Sequence, residues 1–241
     1  MLELQDICYE TENGKLILDH INAKIEDHFV VITGPNGSGK STLAKVIAGI
    51  LQPSQGRILF QGEDITDWSI TERANHGISY AFQQPVRFKG LTVRDLMSLA
   101  AGKDASLNEL CELLSEVGLC AKDYIQRDLD GSLSGGELKR IEIAMAFARN
   151  SALTLFDEPE AGIDLWSFQK LIHVFEKMVA TNDGNILIIS HQERILEIAD
   201  KILYLKDGQV AKFDTRDRVL PEIMGVPAGA CRVRTEKMKE D

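Results

Sequence analysis

The sequence predicts an α/β fold with a mixed sheet core, an antiparallel β-subdomain at its N-terminus and an inserted helical subdomain. Three observations carry this. Leu2 to Tyr9 and Leu16 to Ile25 are strand-like runs around Glu12-Asn13-Gly14-Lys15, and Asn-Gly is a strong hairpin turn. Phe29 to Thr33, Leu153 to Phe156 and Ile186 to Ile189 are short apolar runs of the kind buried on both faces of a parallel sheet. From Pro85 to Asp130 the spacing turns helical.

In chain order, Phe29 to Thr33 enters a glycine-rich loop, and Ser41 to Leu51 reads as a helix with Leu43, Val46, Ile47 and Ile50 on one face. Residues 57–60 with the Gly62 turn suggest a strand pair, and Ile78 to Phe82 another strand. Residues 92–101 and 106–117 have helical spacing, the second with Leu110, Leu113, Leu114 and Val117 as its apolar stripe; Asp123 to Asp130 reads as irregular. A helix from the glycine turn at 135 through Asn150 aligns Leu138, Ile141, Met145 and Ala148. The Leu153 and Ile186 strands flank an amphipathic helix around Phe168–Val179, an order that favours a right-handed parallel crossover. Lys201–Leu205 and Val210–Phe213 around Asp207-Gly208 make a closing hairpin. The expected organisation is one domain over 1–225, with a helical insert at about 85–132, and a polar tail at 226–241.

The 241 residues are 44% hydrophobic and 27% charged, enough to bury a substantial core. The formal net charge of −10 argues against a basic nucleic-acid groove and against a polybasic lipid-docking face. No apolar run is long enough to span a bilayer, and MLELQDICYE is not a secretory signal, so a cytoplasmic protein without direct membrane insertion is expected. Cys8, Cys111 and Cys120 sit in apolar-patterned segments and read as small core residues; Cys231 lies in the polar tail. None forms a C-x-x-C pair, so spacing gives no zinc motif.

Gly34-Pro35-Asn36-Gly37-Ser38-Gly39-Lys40-Ser41 fits G-x-x-x-x-G-K-[ST]. Its glycines let backbone N–H groups turn toward phosphate oxygens, and the following helix adds its positive end. Lys40 is expected to reach the β- and γ-phosphates and Ser41 to ligate Mg²⁺, with Thr42 continuing the loop into the helix. Asp157 and Glu158 end a strand, at the sheet edge where open α/β folds bind ligands. Asp157 suits the metal and Glu158 suits a general base or water positioner. His191 follows the Ile186–Ser190 run and should emerge at the same edge, where it can meet the γ-phosphate. The other histidines, His20, His28, His76 and His173, read as structural or exposed. Gln83 follows the Ile78–Phe82 strand at the entrance to the insert, with Gln84 beside it. Tyr9 is the candidate aromatic for stacking on adenine.

Between the loop and the acids stands Leu133-Ser134-Gly135-Gly136-Glu137. With its neighbours it resembles the signature of the ATP-binding-cassette (ABC) ATPases, a resemblance that extends over nearly the whole chain. It implies the ABC-ATPase variant of the P-loop NTPase fold and hydrolysis of ATP with Mg²⁺. It also implies a nucleotide sandwiched between Lys40 of one subunit and Ser134, Gly135 and Gly136 of another, in a dimer of this chain with itself or a paralogue. Gln83 then matches the glutamine that contacts metal and attacking water, and His191 the switch histidine. Gly162-Ile163-Asp164 resembles the D-loop, which puts Asp164 at the nucleotide interface.

The run from Arg127 to Ile143, with Lys139, Arg140 and Glu142 after the signature, looks like the Suf-type ATPases of iron–sulfur cluster assembly. Ala81-Phe82-Gln83-Gln84-Pro85-Val86 and Gly62-Glu63-Asp64-Ile65 agree with it. That resemblance implies a soluble SufB/SufD-like scaffold docking near Pro85–Leu96. The insert is shorter than the Suf pattern, Glu158-Pro159-Glu160-Ala161 replaces the more usual acid-rich, serine-bearing run, and Tyr9 is more transporter-like. The alternative is the nucleotide-binding subunit of a membrane transporter; a cytosolic or DNA-associated cassette comes third.

Overall fold

The computed structural model describes residues 1–102, 105–129 and 133–225; Asp130 to Ser132, Cys231 and the tail at 226–241 lie outside the described residues. Strand β1 (Leu2–Glu10) pairs antiparallel with β2 (Leu16–Ile25) through the Asn13-Gly14 turn, where Gly14 takes φ 76°. β3 (Phe29–Thr33) is buried along its whole length and leads through the phosphate loop into α1 (Lys40–Ile47). That helix stops short of Leu51 because Gly49 turns the chain at φ 78°. β4 (Gln55–Phe60) lies on the other side of β1 and pairs with the short β5 (Glu63–Asp64).

α2 (Ile70–Asn75), started by a Ser69/Glu72 capping box, is too short to show a helical period in the sequence. It carries Arg73, fully buried, whose guanidinium donates to Val46 O and Ile47 O at the end of α1 and to Thr66 O and Trp68 O. Helix-end carbonyls without intrahelical partners are thereby satisfied. β6 (Ile78–Ala81) follows. The insert holds α3 (Val93–Ala101), α4 (Leu107–Glu116) and α5 (Ala121–Tyr124), the first two opened by capping boxes at Thr92/Asp95 and Ser106/Glu109. The α5 turn begins the stretch expected to be irregular. Cys120, expected in the core, is exposed because it precedes that turn on the solvent side.

α6 (Gly135–Arg149) ends where Asn150 adopts the left-handed conformation. β7 (Leu153–Asp157), α7 (Leu165–Thr181), β8 (Asn185–Ile189), the short α8 (Glu193–Glu197), β9 (Lys201–Lys206), β10 (Gln209–Thr215) and α9 (Arg216–Ile223) complete the chain. Two sheets result, in the orders β2-β1-β4-β5 and β10-β9-β3-β8-β7-β6. The first is antiparallel. In the second, β9, β3, β8, β7 and β6 are parallel and β10 alone runs antiparallel, which makes it mixed.

Period-two alternation sends each central strand into two cores. Val30, Ile32, Leu155, Leu187 and Ile189 face the antiparallel sheet and α1, while Phe29, Val31, Phe156, Ile186 and Ile188 pack with α6 and α7. The parallel register brings the ends of β3, β6, β7 and β8 to one edge. No helix among the described residues is long and apolar enough to cross a membrane.

Candidate functional site

The loop after β3 depends on its glycines. Gly34 takes φ 147°, and a Cβ there would lie 2.0 Å from Leu205 O on β9. Gly39 takes φ 98°, and its Cβ would meet Leu18 Cδ2 at 2.8 Å and Ile17 O at 3.0 Å. Gly37, at φ 82°, faces open space, and Pro35, Asn36 and Gly37 are exposed. Ser38 Oγ is buried without a hydrogen-bond partner, an open polar group inside the loop. Lys40 begins α1 and donates Nζ to Gly34 O at 2.8 Å and Pro35 O at 3.0 Å, so the ammonium spans the loop. Burial lowers its pKa, opposed by Glu158 and Asp157.

Asp157 is buried at the end of β7 and both its oxygens are taken. Ser41 Oγ donates to Oδ1 at 2.9 Å and the Tyr80 hydroxyl to Oδ2 at 2.8 Å. Burial, with Asp157 alongside, pushes the Tyr80 phenol far above its ordinary range, so it acts as a proton-holding donor. Glu158 adopts φ 46°, an unusual conformation for a glutamate and one that clusters at functional sites. Its Oε2 accepts from Gln83 Nε2 at 2.6 Å, and His191 Nε2 stands 3.9 Å from its Oε1. Four residues from three strand ends thus meet: Asp157 and Glu158 at the end of β7, Gln83 after β6 and His191 after β8 surround the mouth of the loop. Thr42 follows Ser41 in the first turn of α1.

Tyr80 was not singled out in the sequence because a strand tyrosine reads as packing. Nor was Glu160. Its Oε1 accepts from Ser190 Oγ at 2.5 Å, Oε2 is buried without a partner, and burial raises its pKa. Since Ser190 Oγ also accepts from Gln192 N at 3.0 Å, this contact ties the turn after β7 to the segment carrying His191.

A buried charge pair anchors the glutamine loop. Lys139 on α6, 1% exposed at its side chain, donates to Phe82 O and lies 3.1 Å from Glu142 Oε2. Glu142 Oε1 accepts from Phe82 N at 2.9 Å. Both polar groups of Phe82, one residue before Gln83, are therefore held by the helix that starts at the signature. Arg140 donates to Gly136 O and Gly118 O within the same layer.

Ser134 caps α6: its Oγ accepts from Glu137 N at 3.3 Å and Glu137 Oε2 accepts from Ser134 N at 2.7 Å. The Tyr124 hydroxyl on Glu137, with the Ser134 amide, lowers that carboxyl to about 2. Ser134 and Gly135 are exposed, and a Cβ on Gly136 would lie 3.3 Å from Gly162 O. Among the described residues no hydrogen bond joins the signature to the phosphate loop of the same chain. Asp164 Oδ1 accepts from Ser167 N at 3.0 Å at the start of α7, a capping geometry. Tyr9 lies half-buried opposite Leu18, the residue that abuts Gly39.

Residues 18–161 match the family described as ABC transporter. An uncharacterized ABC transporter ATP-binding protein of Methanocaldococcus jannaschii is 38% identical over 221 residues, 88% of each chain. The choline transport ATP-binding protein OpuBA of Bacillus subtilis is 30% identical over 227 residues, covering 91% of this chain and 59% of that one. A solved dimeric bacterial ABC transporter cassette superposes with a TM-score of 0.80 at 25% identity, over 90% of this chain and 99% of that one.

These findings overturn the expectation of iron–sulfur cluster assembly on a SufB/SufD-like scaffold, since the relatives are named as transporter ATP-binding proteins. Lys139, Arg140 and Glu142, which carried the finer resemblance, bind backbone groups inside this chain. Such packing is compatible with any work the cassette drives.

Proposed function

The chain belongs to the ABC transporter family, and from that premise we propose that it is the nucleotide-binding subunit of a membrane transporter. It is an ATP hydrolase that uses Mg²⁺. The donor set fits the ion: Ser41 Oγ and the Asp157 carboxylate are hard oxygen ligands 2.9 Å apart, and Ser38 Oγ is an open polar group in the loop. Bound there, Mg²⁺ supplies positive charge against the phosphate oxygens.

In this reading, residues 34–42 hold the phosphates, and Lys40 exchanges its two loop carbonyls for phosphate oxygens. Tyr80 fixes one oxygen of Asp157 so that the carboxylate presents a single orientation. Glu158 orients and deprotonates the attacking water, Gln83 passes from Glu158 to the water, and His191 contacts the γ-phosphate. Tyr9 stacks on the adenine. Ser134, Gly135, Gly136 and Asp164 act across the interface of an ATP-dependent dimer with a second copy or a paralogue, a reading supported by the dimeric state of the solved cassette. Closure couples to ATP binding and reopening to hydrolysis.

The observation that carries the transport reading beyond the family is an apolar groove of about 440 Å³ beside the glutamine loop. Phe82, Pro85, Val86, Phe88 and Leu99 line it, all but Pro85 being exposed large apolar side chains. An unpartnered apolar groove of this kind suits the apolar face of a partner helix. Because Lys139 and Glu142 grip Phe82, an occupant pushing there acts directly on Gln83. A photo-crosslinker at Val86 in cells of the source organism should capture a polytopic membrane protein. Capture of soluble partners alone, with the chain absent from the membrane fraction, overturns the proposal.

A further inference from the structure

Outside the nucleotide site, one group of side chains among the described residues has the chemistry of a metal centre. Cys8 on β1 and Asp19 and His20 on β2 bring a thiol, a carboxylate oxygen and an imidazole nitrogen within 4.8 Å of one another. We propose that these three residues bind a thiolate-preferring divalent transition ion of the zinc class, leaving one position open to water.

The local backbone is built to converge them. The β1–β2 register shifts between Leu4 and Ile7 and again between Ile7 and Tyr9. Asp6 and His20 take φ 57° and 52°, a conformation that bulky residues rarely adopt. These bulges turn Cys8, buried in the sheet, and solvent-facing His20 toward the same point, and the His20 amide donates to Cys8 Sγ at 3.3 Å.

The surrounding shell has the form that orients metal ligands. His20 Nδ1 lies 2.6 Å from Asp6 Oδ1, and Asp6 Oδ2 is held by Gln55 Nε2 at 2.6 Å. A carboxylate on one ring nitrogen fixes the ring and frees the other nitrogen to ligate. That other nitrogen, Nε2, is 3.8 Å from Asp19 Oδ1, while Gln209 Nε2 holds Asp19 Oδ2 at 2.5 Å. Each carboxylate is thus fixed through one oxygen by a glutamine amide from a different strand, with its second oxygen toward His20.

Thiolate, imidazole and carboxylate together suit zinc and disfavour magnesium or calcium, which take oxygen donors. Bonds of about 2.0–2.3 Å require the donors to draw together by roughly 1 Å. Asp19 and His20 have that freedom, with side chains 29% and 59% exposed. The site is separate from the Mg²⁺ ligands Ser41 and Asp157 and needs no bound nucleotide.

The test is titration of the chelator-treated full chain with Zn²⁺ and with Co²⁺ as a spectroscopic probe, in the absence of ATP. Expected is one ion per chain, with a sulfur-to-cobalt charge-transfer band and the visible absorption of a tetrahedral ion. Cys8→Ser should abolish the charge-transfer band. His20→Ala, which alters an exposed side chain and leaves the core intact, should weaken binding at least tenfold, and Asp6→Asn by about 10–100-fold. The proposal is overturned by a sulfur–cobalt band that survives in C8S, because Cys111, Cys120 or Cys231 then supplies the thiolate. It is equally overturned by unchanged affinity in H20A, or by no binding at a hundredfold molar excess of ion.

Discussion

Truncating Glu142 to alanine removes two contacts, one of them to the buried Lys139 ammonium. Phe82 N–H loses its acceptor at 2.9 Å, and the Lys139 ammonium loses its only anionic partner at 3.1 Å among the described residues. Breaking a buried pair by removing one partner costs about 3–5 kcal/mol. Lys139 keeps the Phe82 carbonyl, so the lower end, about 3 kcal/mol, is expected. For a domain of this size each kcal/mol lowers the melting temperature by about 2–4 °C, which gives a drop of about 6–12 °C by calorimetry. Lys139→Met probes the other half and adds a pH signature. Burial raises the Glu142 pKa and Lys139 is the largest influence opposing it, so K139M lifts that pKa further. An acid whose folded pKa exceeds its unfolded value binds more protons when folded, so its stability contribution falls as pH rises through that interval. The K139M deficit should therefore shrink on acidification toward the usual carboxylate range, and K139M/E142Q should recover much of the loss at neutral pH. The reasoning is refuted if E142A and K139M both melt within about 1 kcal/mol of the parent, or if the K139M deficit grows on acidification.

Three further outcomes are expected. Glu158→Gln should bind ATP without hydrolysing it and accumulate as a dimer in sizing experiments with Mg²⁺; a variant that stays monomeric with ATP and its partner present counts against the sandwiched site. Tyr80→Phe removes one of the two donors on Asp157 and should raise the Mg²⁺ concentration needed for half-maximal ATPase, at a stability cost of about 1–3 kcal/mol; an unchanged Mg²⁺ dependence would show that Ser41 alone fixes the carboxylate. Arg73→Ala strips donors from four carbonyls and opens a cavity under α1, and should destabilise the fold by at least about 3 kcal/mol in denaturant titration; a loss below about 1 kcal/mol would mean that water replaces the guanidinium without penalty.

Signals confined to neighbouring residues were legible in the sequence. The Asn13-Gly14 hairpin, the apolar runs at 29–33, 153–156 and 186–189, and the phosphate loop each encode their conformation within a few residues. The parallel strands bring Gln83, Asp157, Glu158 and His191 together at one edge; position after a strand end places the two acids and His191 there, and Gln83 only at the entrance to the insert. Short or charge-bearing elements gave no such signal: α2 has only two turns, and nothing in its own residues says that Arg73 will reach the end of α1. Partners remote in sequence were also invisible. Tyr80 and Asp157 are 77 positions apart and Glu142 and Phe82 are 60, and neither pair has meaning until β6, β7 and α6 pack.

The finer functional reading failed for the same reason. Lys139, Arg140 and Glu142 looked like marks of one specialised activity, whereas in the folded chain Lys139 and Glu142 bind the backbone of Phe82 and Arg140 binds the carbonyls of Gly118 and Gly136. The fold class and the nucleotide chemistry are written in short stretches of chain, because glycines, strand ends and helix caps act locally. Which polar groups share a buried space follows from packing alone, through the cost of leaving any of them unpaired. That same packing brings Cys8, Asp19 and His20 together without a linear motif to announce them.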